Sequence, residues 1–197
     1  SNHIEFRRIP EYLRRMREMG TNYIQVWGQM TGGANCDSLP YPNPVLGSLD
    51  EFKAAIREVQ RWGAHITFYV SSQFWKVDYG KGEMIGSTPR ALLPAGVPTW
   101  DWDEWRNYAI RSYAGDCSGD SELSAEDQAK YGTRWLRTVP CPFTDAWADR
   151  HLHYWCVRQY GHDYGANGIY LDETGAAGER YCFDQRHGHE HHGIWGA

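Results

Sequence analysis

The run Tyr164-Gly165-Ala166-Asn167-Gly168-Ile169-Tyr170-Leu171-Asp172 holds a helix end, a turn and a strand in immediate succession. The same order occurs at Met19-Gly20-Thr21-Asn22 before Tyr23-Ile24-Gln25-Val26-Trp27. It returns at Trp62-Gly63-Ala64-His65 before Ile66-Thr67-Phe68-Tyr69-Val70. Glycine accepts the left-handed conformation that closes a helix, and two or three residues then suffice to start a strand.

Working outward, each glycine is preceded by a helical pattern. Ile9, Tyr12, Leu13, Met16 and Met19 recur at helical spacing behind Pro10, whose missing N–H costs nothing in a first turn. Ser48-Leu49-Asp50-Glu51 reads as a capping box, with Phe52, Ile56, Val59 and Trp62 following on one face. Thr144 opens a third such segment, carrying Trp147, His151, Leu152, Trp155 and Cys156. Helix followed by strand, three times, predicts a parallel α/β architecture.

Between the second and third units lies a long insertion, about residues 71–140, with short helices expected near Asp101 and near Ser124. It should sit over the C-terminal ends of the strands, as functional loops of such folds do. Along the strands, Ile24 and Val26 oppose Tyr23, Gln25 and Trp27, and Ile169 and Leu171 oppose Tyr170 and Asp172. The apolar set should face helices and the polar set a barrel interior. For the middle strand both registers, Thr67/Tyr69/Ser71 or Ile66/Phe68/Val70 inward, stay open. A closed (β/α)8 TIM barrel takes ~250 residues. Three strands in 197 residues predict its N-terminal half, present as a fragment and forming one domain over 1–197.

Composition narrows the partners. A net charge of −5 without any basic run removes the footprint of a nucleic-acid binder. The longest apolar run, Ile66 to Val70 with Thr67 inside it, is far below the ~20 residues of a membrane span. No phosphate-binding glycine motif follows a strand, so no nucleotide and no other cofactor is expected. Five cysteines at wide spacings, with no C-x-x-C, indicate neither a disulfide framework nor a zinc ribbon and read as small buried hydrophobes. With 10 Trp and 13 Tyr against 6 Phe, the aromatics favour polar-tipped rings, which stack on sugars while bonding hydroxyls.

Chemistry concentrates at two places. Asp172 ends a strand on the side where parallel α/β folds place their active sites, poised as acid, base or nucleophile. Alternatively it caps the next turn. Farther on, Tyr181-Cys182-Phe183-Asp184-Gln185-Arg186-His187-Gly188-His189-Glu190-His191-His192 offers imidazoles that can bond substrate hydroxyls, ligate a metal with Asp172 or Asp184, or merely face solvent.

Asn22-Tyr-Ile-Gln-Val-Trp-Gly28, Tyr41-Pro-x-Pro-x-x-Gly47-Ser48, His65-Ile-Thr-Phe-Tyr-Val70, Cys141-Pro142, Gly165 to Asp172 and Cys182-Phe-Asp184-x-x-His187-Gly-His189 together resemble a bacterial family of TIM-barrel proteins. That family is similar to glycoside hydrolases of the α-galactosidase and endo-α-N-acetylgalactosaminidase type. The resemblance implies a retaining glycosidase with Asp172 as nucleophile and an acid/base carboxyl beyond Ala197. Trp27, Tyr170, Glu173, Asp184, His187 and His189 are then candidates for contacting a carbohydrate substrate. A non-catalytic carbohydrate-binding barrel and a metal-dependent hydrolase using the Asp/His cluster are the alternatives.

Overall fold

The computed structural model describes residues 4–32, 39–71, 75–76, 83–85, 88–97, 106–117, 119–131, 134–145, 147–149, 161–172, 180–190 and 193–195. In chain order the described strands are β1 (Tyr23–Val26), β2 (Met30–Thr31), β3 (Leu39–Pro42), β4 (His65–Ser71), β5 (Trp75–Lys76) and β6 (Met84–Ile85), then β7 (Thr88–Pro89), β8 (Gly119–Glu122), β9 (Trp135–Thr138), β10 (Gly168–Asp172), β11 (Arg180–Cys182) and β12 (Gly193–Trp195). The helices that frame them are α1 (Ile9–Glu18), α2 (Leu49–Arg61) and α3 (Ala125–Tyr131).

The three glycine-capped units form as their sequences dictate. Gly20, Gly63 and Gly165 all take positive φ, at 85°, 71° and 77°. Ser48 accepts from the Glu51 N–H at 3.1 Å while Glu51 accepts from the Ser48 N–H at 2.8 Å, so the capping box is complete at the start of α2. At the third unit the Asn167 side chain accepts from the Ile66 N–H at 3.0 Å, which ties the start of β10 to its neighbour before the ladder begins. Of the third helical segment only 145, 147–149 and 161–164 are described, the last two stretches as π-helical turns. Ser124 caps α3 by accepting from the Asp127 N–H, whereas the short helix expected near Asp101 lies outside the described residues.

β1, β4 and β10 build one parallel sheet in the order β1-β4-β10. Its register places Ile24 beside Ile66, Val26 beside Phe68, Ile169 beside Phe68 and Leu171 beside Val70. This resolves the middle strand: Ile66, Phe68 and Val70 are fully buried against the helices. Phe6, Ile9, Leu13, Phe52, Ile56 and Val59 meet them there, each fully buried. The stripe along α1 is only partly used, since Tyr12 and Met19 remain exposed.

The expectation of half a (β/α)8 barrel is overturned. Among the described residues no barrel closes: the parallel sheet has three strands, too few to curl into a staggered cylinder. The chain between β4 and β10 goes instead into short antiparallel ladders, β5-β9-β8 and β6-β7. The polar strand face therefore lines no barrel interior. An open sheet and a barrel share one local pattern of apolar and polar alternation, so residues 23–27, 65–71 and 168–172 read alike for both. Among the described residues no helix is long and apolar enough to cross a membrane.

Candidate functional site

The sheet face turned away from the helices carries Tyr23, Gln25 and Trp27, then Thr67, Tyr69 and Ser71, then Tyr170 and Asp172. Asp172, the last residue of β10, accepts from the Tyr69 hydroxyl at 2.9 Å and the Tyr170 hydroxyl at 3.2 Å. The Tyr69 ring lies 4.4 Å from Trp27 and 6.0 Å from Tyr170, so β4, β10 and the residue that follows β1 contribute one ring each to a row beside the carboxylate. Tyr69 is buried within that row, while Trp27 and Tyr170 are 52% and 44% exposed. Donating to the negatively charged Asp172 holds the Tyr170 phenol above its ordinary value.

A second cluster forms where β11 runs into a short 3-10 turn, Gln185–His187. Asp184 caps that turn by accepting from the Arg186 N–H at 3.1 Å, and its carboxylate pairs with the Arg186 guanidinium at 2.5 Å and with Arg111 at 3.3 Å. Arg186, through its side chain first and then its backbone N–H, together with the nearby His187, holds the Asp184 carboxyl well below the usual carboxylate range despite its burial. The turn aims His187 inward: its Nδ1 lies 3.3 Å from Cys182 Sγ, and its Nε2 donates to the Asn107 carbonyl at 2.8 Å. His189 directs Nε2 at Cys141 Sγ, 3.2 Å away, and donates from Nδ1 to the Glu190 carbonyl at 2.6 Å.

The neighbouring Cys182 thiol first, then burial, raises the Cys141 thiol; Cys141 in turn, with the bond from His187, lowers Cys182 against the opposing effect of burial. Burial disfavours a charged His187, but its bonds to Cys182 and the Asn107 carbonyl outweigh that and leave its pKa raised. Beside His187 opens a cleft of about 550 Å³ lined by Asn107, Phe143, Asp145, Asp149 and Arg186.

The candidates named from sequence thus fall into two sets. Trp27, Tyr170 and Asp172 share one sheet face; Asp184, His187 and His189 gather around Cys141 and Cys182. Glu173 lies outside the described residues. Among the described residues, the group with metal-ligand geometry is Cys141, Cys182, His187 and His189, and neither Asp172 nor Asp184 belongs to it. Sequence reasoning did not single out Tyr69, whose face depended on an undecided register. It also took Cys141 and Cys182 as core filling. Cys182, His187 and His189 within eight positions are a signal for the second set; the fourth member is 41 positions upstream of Cys182, which no local pattern marks.

No protein-family model matches the chain, and no curated protein matches it. Among solved structures it is similar to the α-N-acetylgalactosaminidase NagBb from Bifidobacterium bifidum, solved as a GalNAc complex. The TM-score is 0.56 and the sequence identity 17%, over 97% of this chain and 25% of that one. The chain spans about a quarter of that enzyme's length, and the likeness is one of fold.

Proposed function

We propose that this chain is the nucleophile-bearing part of a retaining glycoside hydrolase acting on galactose-configured sugars. One observation supports the reading most: a carboxylate stands at the C-terminal end of a parallel strand, on the face away from the helices, next to a row of aromatic rings with two of them exposed. The fold likeness to an α-N-acetylgalactosaminidase points the same way, by analogy of architecture.

In this reading a sugar stacks its C–H face on Trp27 or Tyr170, and its hydroxyls bond to neighbouring polar tips. Asp172, fixed in orientation by the Tyr69 and Tyr170 phenols, attacks the anomeric carbon. The glycosidic C–O bond breaks as the ester to Asp172 forms. A second carboxyl group, ~5–5.5 Å from the first in retaining enzymes, gives its proton to the leaving oxygen. Water then cleaves the ester and returns a proton to that group. The second carboxyl is assigned to no residue of this chain, and Asp184, held by Arg186 and Arg111, and His187 and His189, each beside a cysteine, take no part in the sugar site.

A galactose-configured fluoroglycoside with a dinitrophenolate leaving group tests this, because so good a leaving group departs without a proton donor. The expected result is one equivalent of dinitrophenolate released, with the sugar attached to the peptide containing Asp172 and no labelling of Asp172→Asn. An adduct on another residue overturns the assignment. Saturable sugar binding without any adduct would make this face a carbohydrate-binding surface instead.

A further inference from the structure

We propose that Cys141, Cys182, His187 and His189 form a closed, four-ligand zinc site that clamps the β11-β12 hairpin to the long segment between β4 and β10. The inference is independent of the carbohydrate reading, since it uses none of the residues around Asp172.

Four ligand atoms, one from each residue, lie within 4.8 Å of one another. Bond lengths of ~2.3 Å to sulfur and ~2.0 Å to nitrogen in a tetrahedron put neighbouring sulfur and nitrogen atoms about 3.5 Å apart. Two of the four sulfur–nitrogen separations are 3.2 and 3.3 Å and all ligand atoms lie within 4.8 Å of one another, so shifts of about an ångström or less admit an ion at the centre.

The imidazoles supply a second, separate argument. A backbone carbonyl only accepts, so the bond to Asn107 O places a hydrogen on His187 Nε2, and the bond to Glu190 O places one on His189 Nδ1. The nitrogen that faces a cysteine is in each case the other one, with its lone pair able to bind a metal. Such outer partners are what ligating histidines use to fix tautomer and ring orientation. Asp184, its oxygen 3.6 Å from His187 Nε2, adds a carboxylate behind the same ring.

Burial and donor type then select the ion. Cys141 and Cys182 are 0% exposed and the His187 side chain 3% exposed, which suits a site closed to substrate. Both cysteines bind as thiolates, any thiol proton passing to solvent, and two thiolates neutralise a divalent cation at a site whose cysteines are buried and whose histidines are half-buried. Two soft sulfurs with two imidazoles favour zinc over calcium or magnesium. With four protein ligands no coordination position is left for a reacting water, so the role is structural.

The local packing supplies the reason for such a clamp. Around the cysteines the described apolar core consists of Ile110, Val139, Cys141 and Cys182, with Trp147 against it. A core that small is the situation in which natural domains use a metal or a disulfide.

The test is metal analysis of the 197-residue chain expressed with zinc and purified under reducing conditions, together with Co²⁺ substitution. One zinc per chain is expected, and the Co²⁺ form should show sulfur-to-metal charge transfer and the intense visible bands of tetrahedral coordination. Cys141→Ser and Cys182→Ser should each lose the zinc, and Cys117→Ser, which alters a cysteine outside the group, should retain it. The Co²⁺ spectrum is read on the unaltered chain and so does not depend on whether a variant folds. Only trace metal in the reduced chain, a weak octahedral Co²⁺ spectrum, or a Cys141–Cys182 disulfide that persists in reductant would each overturn the site.

Discussion

Around the parallel sheet, seventeen of the described residues form one continuous apolar core, among them Phe6, Phe52, Phe68 and Ile66. Around Cys141 only four do. Each large side chain taken fully out of water contributes about 1.5–3 kcal/mol. The sheet with α1 and α2 can hold its geometry by burial, whereas the region of β11 and the 3-10 turn has few such side chains among the described residues. What that region has instead is directional: an aspartate holding two arginines, two carbonyls holding two imidazoles, and two sulfurs. One part of the chain is held by apolar area, the other by stereochemistry.

Removing the metal breaks this comparison most visibly. With a chelator and reductant present, amides of β11 and of residues 139–144 should lose their protection against hydrogen exchange and reach the rate of an open loop. Those of β4 and α2 should keep theirs. Mass-spectrometric exchange, peptide by peptide, reads both in one experiment. Equal loss in the two regions, or loss in neither, would show that the distinction drawn here is false.

The contrast also explains what the sequence made legible. Gly20, Gly63 and Gly165, the Ser48–Glu51 box and the alternation in residues 23–27 and 168–172 act over a few residues, so helices, caps and strands could be placed from them. The number of strands that pair is a long-range property, and three parallel units fit an open sheet as well as a barrel; there the reading failed. The middle strand's register was decided by which face α2 covers, again a long-range fact. At the candidate site, Asp172 is legible as a carboxylate because it ends a strand, which is a local signal. The partnership of Cys141 with Cys182, His187 and His189 is not, because it exists only after the chain between them has folded.

A cavity at Phe52 sharpens the burial side. This ring is fully buried and packs 4.8 Å from Phe6, 4.9 Å from Phe68 and 5.4 Å from Tyr164, joining the N-terminal turn, the sheet and the end of the last helical segment. Phe52→Ala should cost about 3–5 kcal/mol of unfolding free energy. The zinc content of the folded fraction should be unchanged. Urea titration followed by tryptophan fluorescence measures the first and metal analysis the second. A cost below about 1 kcal/mol would mean that this core tolerates truncation and is not what holds the sheet.

The smallest effect concerns Tyr170 on the polar face of the same sheet, exposed and outside the cysteine–histidine cluster. Tyr170 donates to Asp172, and that bond keeps its phenol protonated to higher pH than an ordinary tyrosine. The folded pKa is raised above the unfolded value of ~10, so the folded chain binds more protons in that range. The linked stability is fully present below about pH 10 and declines as pH rises through the folded value. Because Tyr170 is exposed, solvent screening keeps the contribution small. Asp172→Asn removes the negative acceptor, so the Tyr170 ring should titrate at its ordinary value, read as the pH course of its ζ-carbon chemical shift in tyrosine-labelled protein. The slope of unfolding free energy against alkaline pH should flatten slightly, with stability at neutral pH almost unchanged. An unmoved Tyr170 titration would mean that the phenol and the carboxylate are not bonded in solution, and the oriented carboxylate on which the glycosidase reading rests would lose one of its two supports.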